Sequence, residues 1–279
     1  MRVAEHDRAV SALERDLRFF PAGTLPSRTL TREQVRAFNR DGYLAGVDVF
    51  PSDETERNRR DFDAILNVFL DHGRDGFAID RYQDRIASIH DLATHPRILD
   101  VVEDLLGPDL ICWATHFFCK MPGGDKGVSW HQDCSYWALT PSKTVTVWLA
   151  IDDVDADNGA MRVIPGTHLL GLLPWRETGN EDRNVLTQSI DDAERLGAPV
   201  TVTLRAGQAS IHSDLLVHGS LPNRSSRRRC GLTLRYCPPD VRAYWDWNTA
   251  SIICRGTDRS GHWASVPRPP EGLAFSFRE

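Results

Sequence analysis

Short alternating segments separated by turns fill the chain from residue 109 onward, and they limit the possible fold more than any other feature. Val145, Val147 and Leu149 alternate with polar or aromatic neighbours, as in a strand whose two faces meet different surroundings. Four other apolar segments of this kind are 110–120, 200–204, 211–217 and 231–236. Turn-rich sequences such as PGGDKG and DADNG separate them, without helical patterns in between. We therefore predict an antiparallel sandwich or barrel of the jelly-roll kind.

The first third of the chain has helical periodicity instead. Thr31 and Gln34 have the spacing of a capping box, and Gly42 is placed to end the helix that follows. Segments 54–72 and 95–106 carry apolar residues at helical spacing. We expect these helices to form a scaffold around the β core, so the predicted fold class is mainly β with flanking helices.

The chain length of 279 residues suits a single domain with a sizeable core. We predict three parts within that domain. They are a mainly helical part at 1–108, a jelly-roll core that carries the functional site at 109–240, and a C-terminal extension at 241–279. Within this extension, the sequence SVPRPPEG predicts an extended surface tail.

Composition and charge favour a cytoplasmic protein without a nucleic-acid partner. With 39 acidic and 33 basic residues the net charge is −6, which argues against a nucleic-acid partner. The six cysteines include no CxxC pair, which favours a reducing compartment without disulfides. The N-terminal sequence lacks the apolar run of a signal peptide, and no segment approaches the ~20 apolar residues of a membrane span. We expect no membrane partner, and a monomer or homodimer.

The sequence WHQD places a histidine and an aspartate two residues apart, at His131 and Asp133. On a strand these side chains point to the same face and could reach one metal ion. His218, which follows the apolar segment 211–217, offers a second imidazole. Two histidines and one carboxylate form the facial triad of non-haem Fe(II) oxygenases, although zinc accepts the same ligands. His212 lies an even number of residues before His218 on the same predicted strand and is the alternative ligand.

Arg229 follows this histidine pair at the start of the last predicted core strand. A dicarboxylate that binds iron through its keto-acid end needs a cation at its far carboxylate, and a guanidinium offers paired hydrogen bonds there. The alternative is that the sequence RSSRRR forms a solvated basic turn. Three other arginines compete for the same role: Arg227, Arg228 and Arg235.

Four stretches together resemble the phytanoyl-CoA dioxygenase family. Three lie in the β-rich region: WHQD at 130–133, VWLAIDDVDADNGAMRVIPGTH at 147–168, and GQASIHSDLLVHGSLPNRSSRRRCGLTLRY at 207–236. The fourth, LTREQVRAFNRDGYL at 30–44, is similar to the start of the family. The first three stretches occur in the order and spacing of the family, which makes their combination more specific than the two-residue metal motif alone.

The resemblance implies a double-stranded β-helix core of the cupin-like kind. It also implies that Fe(II) is bound by His131, Asp133 and His218. Arg229 would pair with the C5 carboxylate of the co-substrate 2-oxoglutarate, assisted by Ser220. Two further positions match residues that line the co-substrate pocket: Gln132 and Trp148.

Asp133 also bears on the type of reaction, because related halogenases have a small residue in place of this carboxylate. We therefore predict a 2-oxoglutarate-dependent dioxygenase that uses Fe(II) and O2. It would hydroxylate an unactivated C–H bond of a small metabolite or natural-product intermediate, with succinate and CO2 as co-products. The alternatives are desaturation, epoxidation or ring formation at the same iron, a non-catalytic jelly-roll binding protein, and a zinc hydrolase.

Candidate substrate residues lie beside the predicted metal ligands. His116, Phe118 and Lys120 alternate along segment 110–120 and are expected to line the barrel near the iron. The residues predicted to contact substrate are His116, Phe118, Tyr136 and Trp137. Packing within the barrel is the alternative role for each of them.

Overall fold

The computed structural model describes residues 3–23, 28–179 and 183–278, and these residues form five α-helices and fourteen strands. The helices are α1 (Val3–Ser11), α2 (Arg32–Asp41), α3 (Ser52–Asp71), α4 (Ala87–Ala93) and α5 (Pro96–Leu106). The first seven strands are β1 (Tyr43–Asp48), β2 (Leu110–Lys120), β3 (Val128–His131), β4 (Leu139–Thr140), β5 (Val145–Ala150), β6 (Met161–Val163) and β7 (Arg176–Glu177). The others are β8 (Gln188–Ser189), β9 (Val200–Thr201), β10 (Gln208–Ser213), β11 (His218–Ser220), β12 (Arg229–Cys237), β13 (Arg242–Ala243) and β14 (Ile252–Arg255).

Two antiparallel sheets form the core. The larger sheet has the order β1-β10-β5-β12-β2-β14, and the smaller sheet has the order β3-β11-β6-β9. Trp148 and Ala150 of β5 share one apolar cluster with Met161 and Val163 of β6, so side chains of both sheets meet in the interior. The prediction of a mainly β, jelly-roll fold with flanking helices is confirmed.

The central strand β12 has one face toward the helices and one toward the interior. Leu232 and Leu234 belong to the same apolar cluster as Phe62 of α3, which is almost fully buried. Alternate residues such as Arg229 and Arg235 face the opposite way and line cavities between the sheets. Because side chains alternate along a strand, β12 can support the helical layer and the functional site at once.

Helix α2 begins and ends as its sequence predicts. The Thr31 hydroxyl accepts a hydrogen bond from the Gln34 backbone N–H (3.2 Å), and the Gln34 side chain accepts one from the Thr31 N–H (2.8 Å). Gly42 ends the helix with φ +83°, and its N–H donates to Phe38 O at 2.8 Å. The helices predicted at 54–72 and 95–106 correspond to α3 and α5.

The larger sheet extends beyond the predicted 109–240 core on both sides. One edge strand, β1, comes from the part predicted to be mainly helical and pairs with β10. The other edge strand, β14, comes from the C-terminal extension and pairs with β2. After the extended SVPRPPEG segment, Phe275 and Phe277 pack on Phe69 of α3, at 5.9 and 5.1 Å between ring centroids. The end of the chain therefore covers part of the helical layer.

The prediction of one strand over 211–217 is wrong. Strand β10 ends at Ser213 in the larger sheet, and β11 begins at His218 in the smaller one. A turn joins them, because the Leu216 N–H donates to Ser213 O (3.0 Å) and the Ser142 hydroxyl holds Asp214 (2.7 Å). Likewise, only the first two residues of segment 200–204 form a strand, β9.

Two further properties agree with the sequence. All six cysteines are free thiols. Within the described part of the chain, no helix combines the length and apolarity needed to cross a bilayer.

Candidate metal centre and active site

Three predicted metal ligands meet between β3 and β11. These neighbouring strands place His131 directly opposite His218. The prediction that Asp133 lies on the same strand as His131 is wrong. Asp133 begins the 3₁₀ turn Asp133–Ser135 that follows β3. The turn still directs its carboxylate toward both imidazoles, and the three ligand atoms lie within 4.8 Å of one another.

Backbone carbonyls fix the orientation of both imidazoles. His131 Nδ1 lies 2.8 Å from Ser129 O, and His218 Nδ1 lies 2.9 Å from Leu216 O. Since a carbonyl accepts a hydrogen bond and cannot donate one, Nδ1 carries the hydrogen in the neutral form of each imidazole, and Nε2 then keeps a free lone pair. These Nε2 atoms lie 3.6 and 3.9 Å from Asp133 Oδ1. Two neutral nitrogens and one carboxylate oxygen fit a facial triad for Fe(II).

Burial and charge favour the protonation states that a metal requires. Burial lowers the pKa of His218 well below its ordinary value, so this imidazole is neutral. Burial alone would raise the pKa of Asp133, but the imidazoles of His131 and His212 outweigh it. The pKa of Asp133 therefore lies well below its ordinary value, and this ligand is a carboxylate.

His212, the alternative ligand, contacts the same aspartate from another direction. It lies on β10 of the larger sheet, with Nε2 3.5 Å from Asp133 Oδ2, the oxygen that does not face His131. The Thr146 hydroxyl donates to the same Oδ2 at 3.2 Å. His212 is not among the three residues that form the ligand cluster. Its position suits a role in holding the Asp133 carboxylate.

Arg229 is a buried cation close to this cluster. Its guanidinium donates to Gly159 O at 3.0 and 2.7 Å, to Phe118 O at 3.4 Å and to the Ser220 hydroxyl at 3.3 Å. Within the described residues it has no carboxylate partner, and burial lowers its pKa to about 10. The Trp148 ring lies beside it, 5.4 Å from the guanidinium carbon to the ring centroid. Such an unneutralised guanidinium suits an anionic ligand.

Lys120 is a second buried basic residue at this place. Its ammonium lies 2.7 Å from the Ser220 hydroxyl and 2.5 Å from Leu221 O. Burial, reinforced by the charge of Arg229, lowers the pKa of Lys120 to about 6. Its alternation with His116 and Phe118 along β2 predicted an interior position, but no sequence pattern indicated that Lys120 shares Ser220 with Arg229.

The two remaining co-substrate candidates differ in position. Trp148 lines the same cavity as His131, His218 and Arg229. Gln132 is not among the residues that line this cavity. Its side chain donates to the carbonyls of Gly171 (2.8 Å) and Leu215 (2.7 Å) and accepts from the Leu173 N–H (2.8 Å). These contacts give Gln132 a role in fixing the loops behind the metal ligands.

The Trp148 ring needs a glycine beside it on β12. A Cβ added at Gly231 would lie 2.1–2.4 Å from three atoms of the Trp148 ring. We expect Gly231→Ala to lower the free energy of unfolding by roughly 1–3 kcal/mol, because the ring must move within a packed interior. Denaturant unfolding measures this change. Gly23→Ala, which meets no atom within 4 Å, is the control, and equal stability of both variants would contradict the expectation.

A larger cleft of about 820 Å³ opens on the other side of the metal ligands. His131 and Asp133 form part of its wall, and all four predicted substrate residues line it: His116, Phe118, Tyr136 and Trp137. Helix α1 contributes His6 and Asp7 to the same wall, which no sequence pattern indicated. Arg235 also lines it, whereas the sequence-based reasoning considered this residue only as a competitor of Arg229. The even spacing between Arg235 and Arg229 on β12 is the signal that could have identified Arg235 as a residue facing the interior.

The sequence model of the phytanoyl-CoA dioxygenase family matches residues 38–231, which is more than half of the chain. The chain belongs to the phytanoyl-CoA dioxygenase family. The matched region includes the three ligand positions and Arg229. The predictions of family, of a 2-oxoglutarate-dependent non-haem iron oxygenase, and of iron and 2-oxoglutarate as cofactors are confirmed at this level.

Relatives and solved structures of this dioxygenase family agree with the match. The peroxisomal phytanoyl-CoA dioxygenase of Homo sapiens is 27% identical, with 91% of this chain and 78% of the human protein covered. The non-haem monooxygenase ThoJ, solved without metal, is 30% identical with a TM-score of 0.71, covering 85% of this chain and 88% of ThoJ. CytC3, solved with Fe(II) and α-ketoglutarate, is 25% identical with a TM-score of 0.63, covering 88% and 99%.

Proposed function

We propose that this dioxygenase-family protein hydroxylates an unactivated C–H bond of a small metabolite or natural-product intermediate. One observation carries the proposal: a buried His–Asp–His cluster lies between an unneutralised guanidinium and a cleft of about 820 Å³. This arrangement offers a metal position, a carboxylate position and a substrate space in one interior. The similarity to ThoJ, which is described as a monooxygenase, supports insertion of one oxygen atom.

The proposed ligands of Fe(II) are His131, Asp133 and His218. Arg229 would bind the C5 carboxylate of 2-oxoglutarate, with the Ser220 hydroxyl beside it. When bound, iron and 2-oxoglutarate would supply the electrons that activate O2 for attack on a C–H bond. Residues of this chain hold these groups in place and keep bulk water away, because the whole cluster is buried.

Two residues that are not ligands would position the Asp133 carboxylate. His212 approaches Oδ2 at 3.5 Å, and the Thr146 hydroxyl donates to it at 3.2 Å. With Oδ2 held in this way, Oδ1 remains directed at the two ligand imidazoles. Lys120 would add a second hydrogen-bond donor at the far end of 2-oxoglutarate, because it shares Ser220 with Arg229.

The wall of the cleft would hold the substrate against the metal site. The backbone N–H of Gln188 donates to the Tyr136 hydroxyl (3.0 Å), and His116 Nε2 lies 2.7 Å from Phe77 O, so both side chains are fixed. Trp137 packs edge-on against Trp113, with 4.8 Å between ring centroids. Fixed aromatic walls favour one orientation of the substrate, and orientation decides which C–H bond reacts.

Anaerobic titration of Fe(II) and then 2-oxoglutarate into the metal-free protein tests the proposal. Chelation of iron by a 2-oxo acid gives a weak visible charge-transfer absorption, which we expect to grow to saturation. Addition of O2 should then give succinate in proportion to the 2-oxoglutarate consumed. Titration with Zn(II) in place of Fe(II) is the control, since zinc binds the same ligands but is not redox-active.

Two results would contradict the proposal. Iron that binds without producing the absorption on addition of 2-oxoglutarate would favour a metal-binding jelly-roll protein without oxygenase activity. Hydrolytic activity that depends on zinc and needs neither O2 nor 2-oxoglutarate would favour the zinc hydrolase.

A further inference from the structure

Arg235 lies in the substrate cleft without a partner for its charge. Its guanidinium makes no hydrogen bond and no ion pair with any residue in the described part of the chain, and its Nε is fully buried. Arg228, which directly precedes β12, differs in this respect, because it pairs with Asp152 (2.8 Å) and Asp63 (2.6 Å). A desolvated donor without an acceptor is unfavourable, so Arg235 requires an explanation.

Two indole rings hold the Arg235 guanidinium in place. Its central carbon lies 5.7 Å from the Trp113 ring centroid and 5.1 Å from that of Trp137. Ring faces attract the cation but leave the N–H groups at its edge without acceptors. The rings therefore restrict the rotamers of Arg235, and its two terminal nitrogens, unlike Nε, are not among the fully buried donors without a partner. This arrangement lowers the entropic cost of binding an anion.

The acidic residues of the cleft do not neutralise Arg235. Asp80 lies near Arg81 (3.6 Å) and His116 (3.8 Å), and Asp7 accepts a hydrogen bond from the Thr187 hydroxyl. These acids, together with the exposed Asp246 at the rim, make the cleft unfavourable for a ligand with several negative charges. One unpaired guanidinium among carboxylates suits a ligand with one negative charge.

Arg235 and Arg229 both lie on β12 and both line the cavity that contains the candidate metal ligands. Arg229 faces the narrow cavity with Trp148 and Ser220, whereas Arg235 also lines the large cleft with Trp113 and Trp137. The two arginines are six residues apart and share one face of the strand, because side chains alternate. Arg235 lines both spaces, whereas Arg229 lines only the narrow cavity.

We propose that Arg235 binds a carboxylate of the substrate and that the indoles beside it hold an apolar or aromatic body. The substrate class is then a monocarboxylic acid with a hydrophobic ring or chain, and not a polyanion such as a coenzyme A thioester. A carboxylate accepts paired hydrogen bonds from the open edge of the guanidinium. This inference rests on the proposed function, because it assigns the cleft to the substrate of the iron site.

Calorimetric binding to the anaerobic protein loaded with Fe(II) and 2-oxoglutarate tests the inference. The probes are 3-phenylpropanoate, indole-3-acetate and N-acetyl-L-phenylalanine, each with its methyl ester, and coenzyme A as a polyanion. We expect at least one acid to bind at least about tenfold more tightly than its ester, since a charge-assisted pair is worth ~1.5–3 kcal/mol. Arg235→Met should remove this difference, and Arg235→Lys should restore part of it.

Arg162→Met is the matched control, because Arg162 also stacks on an indole, Trp130, at 5.1 Å but does not line the cleft. It should leave the preference for the acid unchanged. The inference is overturned if no acid binds more tightly than its ester, if coenzyme A binds more tightly than the acids, or if Arg235→Met weakens acid and ester equally. The 2-oxoglutarate absorption is measured in each variant. If Arg235→Met leaves the 2-oxoglutarate titration unchanged, the proposed function holds whether or not the inference about the substrate does. If the variant needs more 2-oxoglutarate, Arg235 belongs to the co-substrate site and the inference is overturned.

Discussion

His131→Ala is expected to lower 2-oxoglutarate turnover by at least about 100-fold, because the variant loses one of the three proposed iron ligands. Loss of a residue that only supports a ligand commonly costs about 10–100-fold in metal affinity, and loss of the ligand itself should cost more. The two remaining ligands do not compensate for the lost imidazole. Asp133 Oδ1 and His218 Nε2 would remain as a pair, which leaves iron weakly held and more exposed to water.

Iron affinity and succinate formation are measured together in this variant. The charge-transfer absorption should be absent at iron concentrations that saturate the wild-type protein. His72→Ala is the control, since His72 is an exposed residue that caps α3 far along the chain from the site. Wild-type iron affinity in His131→Ala would refute its assignment as a ligand.

His212→Ala, measured in the same way, tests whether His212 is an iron ligand or a residue that positions Asp133. His212 approaches Asp133 at Oδ2 (3.5 Å) and the His218 ring (4.6 Å between centroids) but is not part of the candidate ligand cluster. We therefore expect His212→Ala to weaken iron binding by about tenfold without abolishing the absorption. An effect as large as that of His131→Ala would make His212 a ligand.

Period-two alternation made the central part of this fold predictable. Leu232 and Leu234 alternate with residues that face the interior, and the same pattern in Val145–Ala150 identified β5. Strand β1 lacked such a signal. Its burial does not alternate, Gly46 interrupts it, and its pairing with β10 contains a register shift, so only the tertiary structure identifies it as an edge strand.

The turn between β10 and β11 could not be read from local sequence. Leu215, Leu216 and Val217 are apolar and completely buried, as in a strand, but the Ser142 hydroxyl of a distant segment binds Asp214 and holds the turn. Apolar composition reports burial and does not distinguish a strand from a buried turn. The predicted strand of 211–217 was wrong for this reason.

The candidate metal ligands were predictable as residue types, but the choice between two histidines was not. His212 and His218 have the same parity, which would place both on one face of a continuous strand. The structure separates them, because β11 pairs with β3 and sets His218 opposite His131, while β10 lies in the other sheet. Long-range strand pairing, which local spacing does not encode, decides this point.

Arg229→Met should raise the 2-oxoglutarate concentration needed for half-maximal turnover by about 10–100-fold. Methionine keeps much of the apolar stem beside Trp148 but removes every donor that the guanidinium offers to a carboxylate. A charge-assisted pair of this kind is worth ~1.5–3 kcal/mol, which corresponds to this range. Iron affinity without co-substrate should stay unchanged. Arg227→Met is the control, because Arg227 belongs to the same basic turn but pairs with Asp155 at the surface.

A co-substrate without the distal carboxylate tests the physical reason directly. Wild-type protein should prefer 2-oxoglutarate strongly over 2-oxopentanoate, which has the same keto-acid end and no C5 carboxylate. Arg229→Met should weaken the binding of 2-oxoglutarate but not that of 2-oxopentanoate, which has no distal carboxylate for Arg229 to contact. The preference for 2-oxoglutarate should therefore fall by the same factor as its affinity. Lys120 remains beside Ser220 and should preserve a small preference. If Arg229→Met weakened both oxo acids equally, Arg229 would support the pocket without contacting the carboxylate.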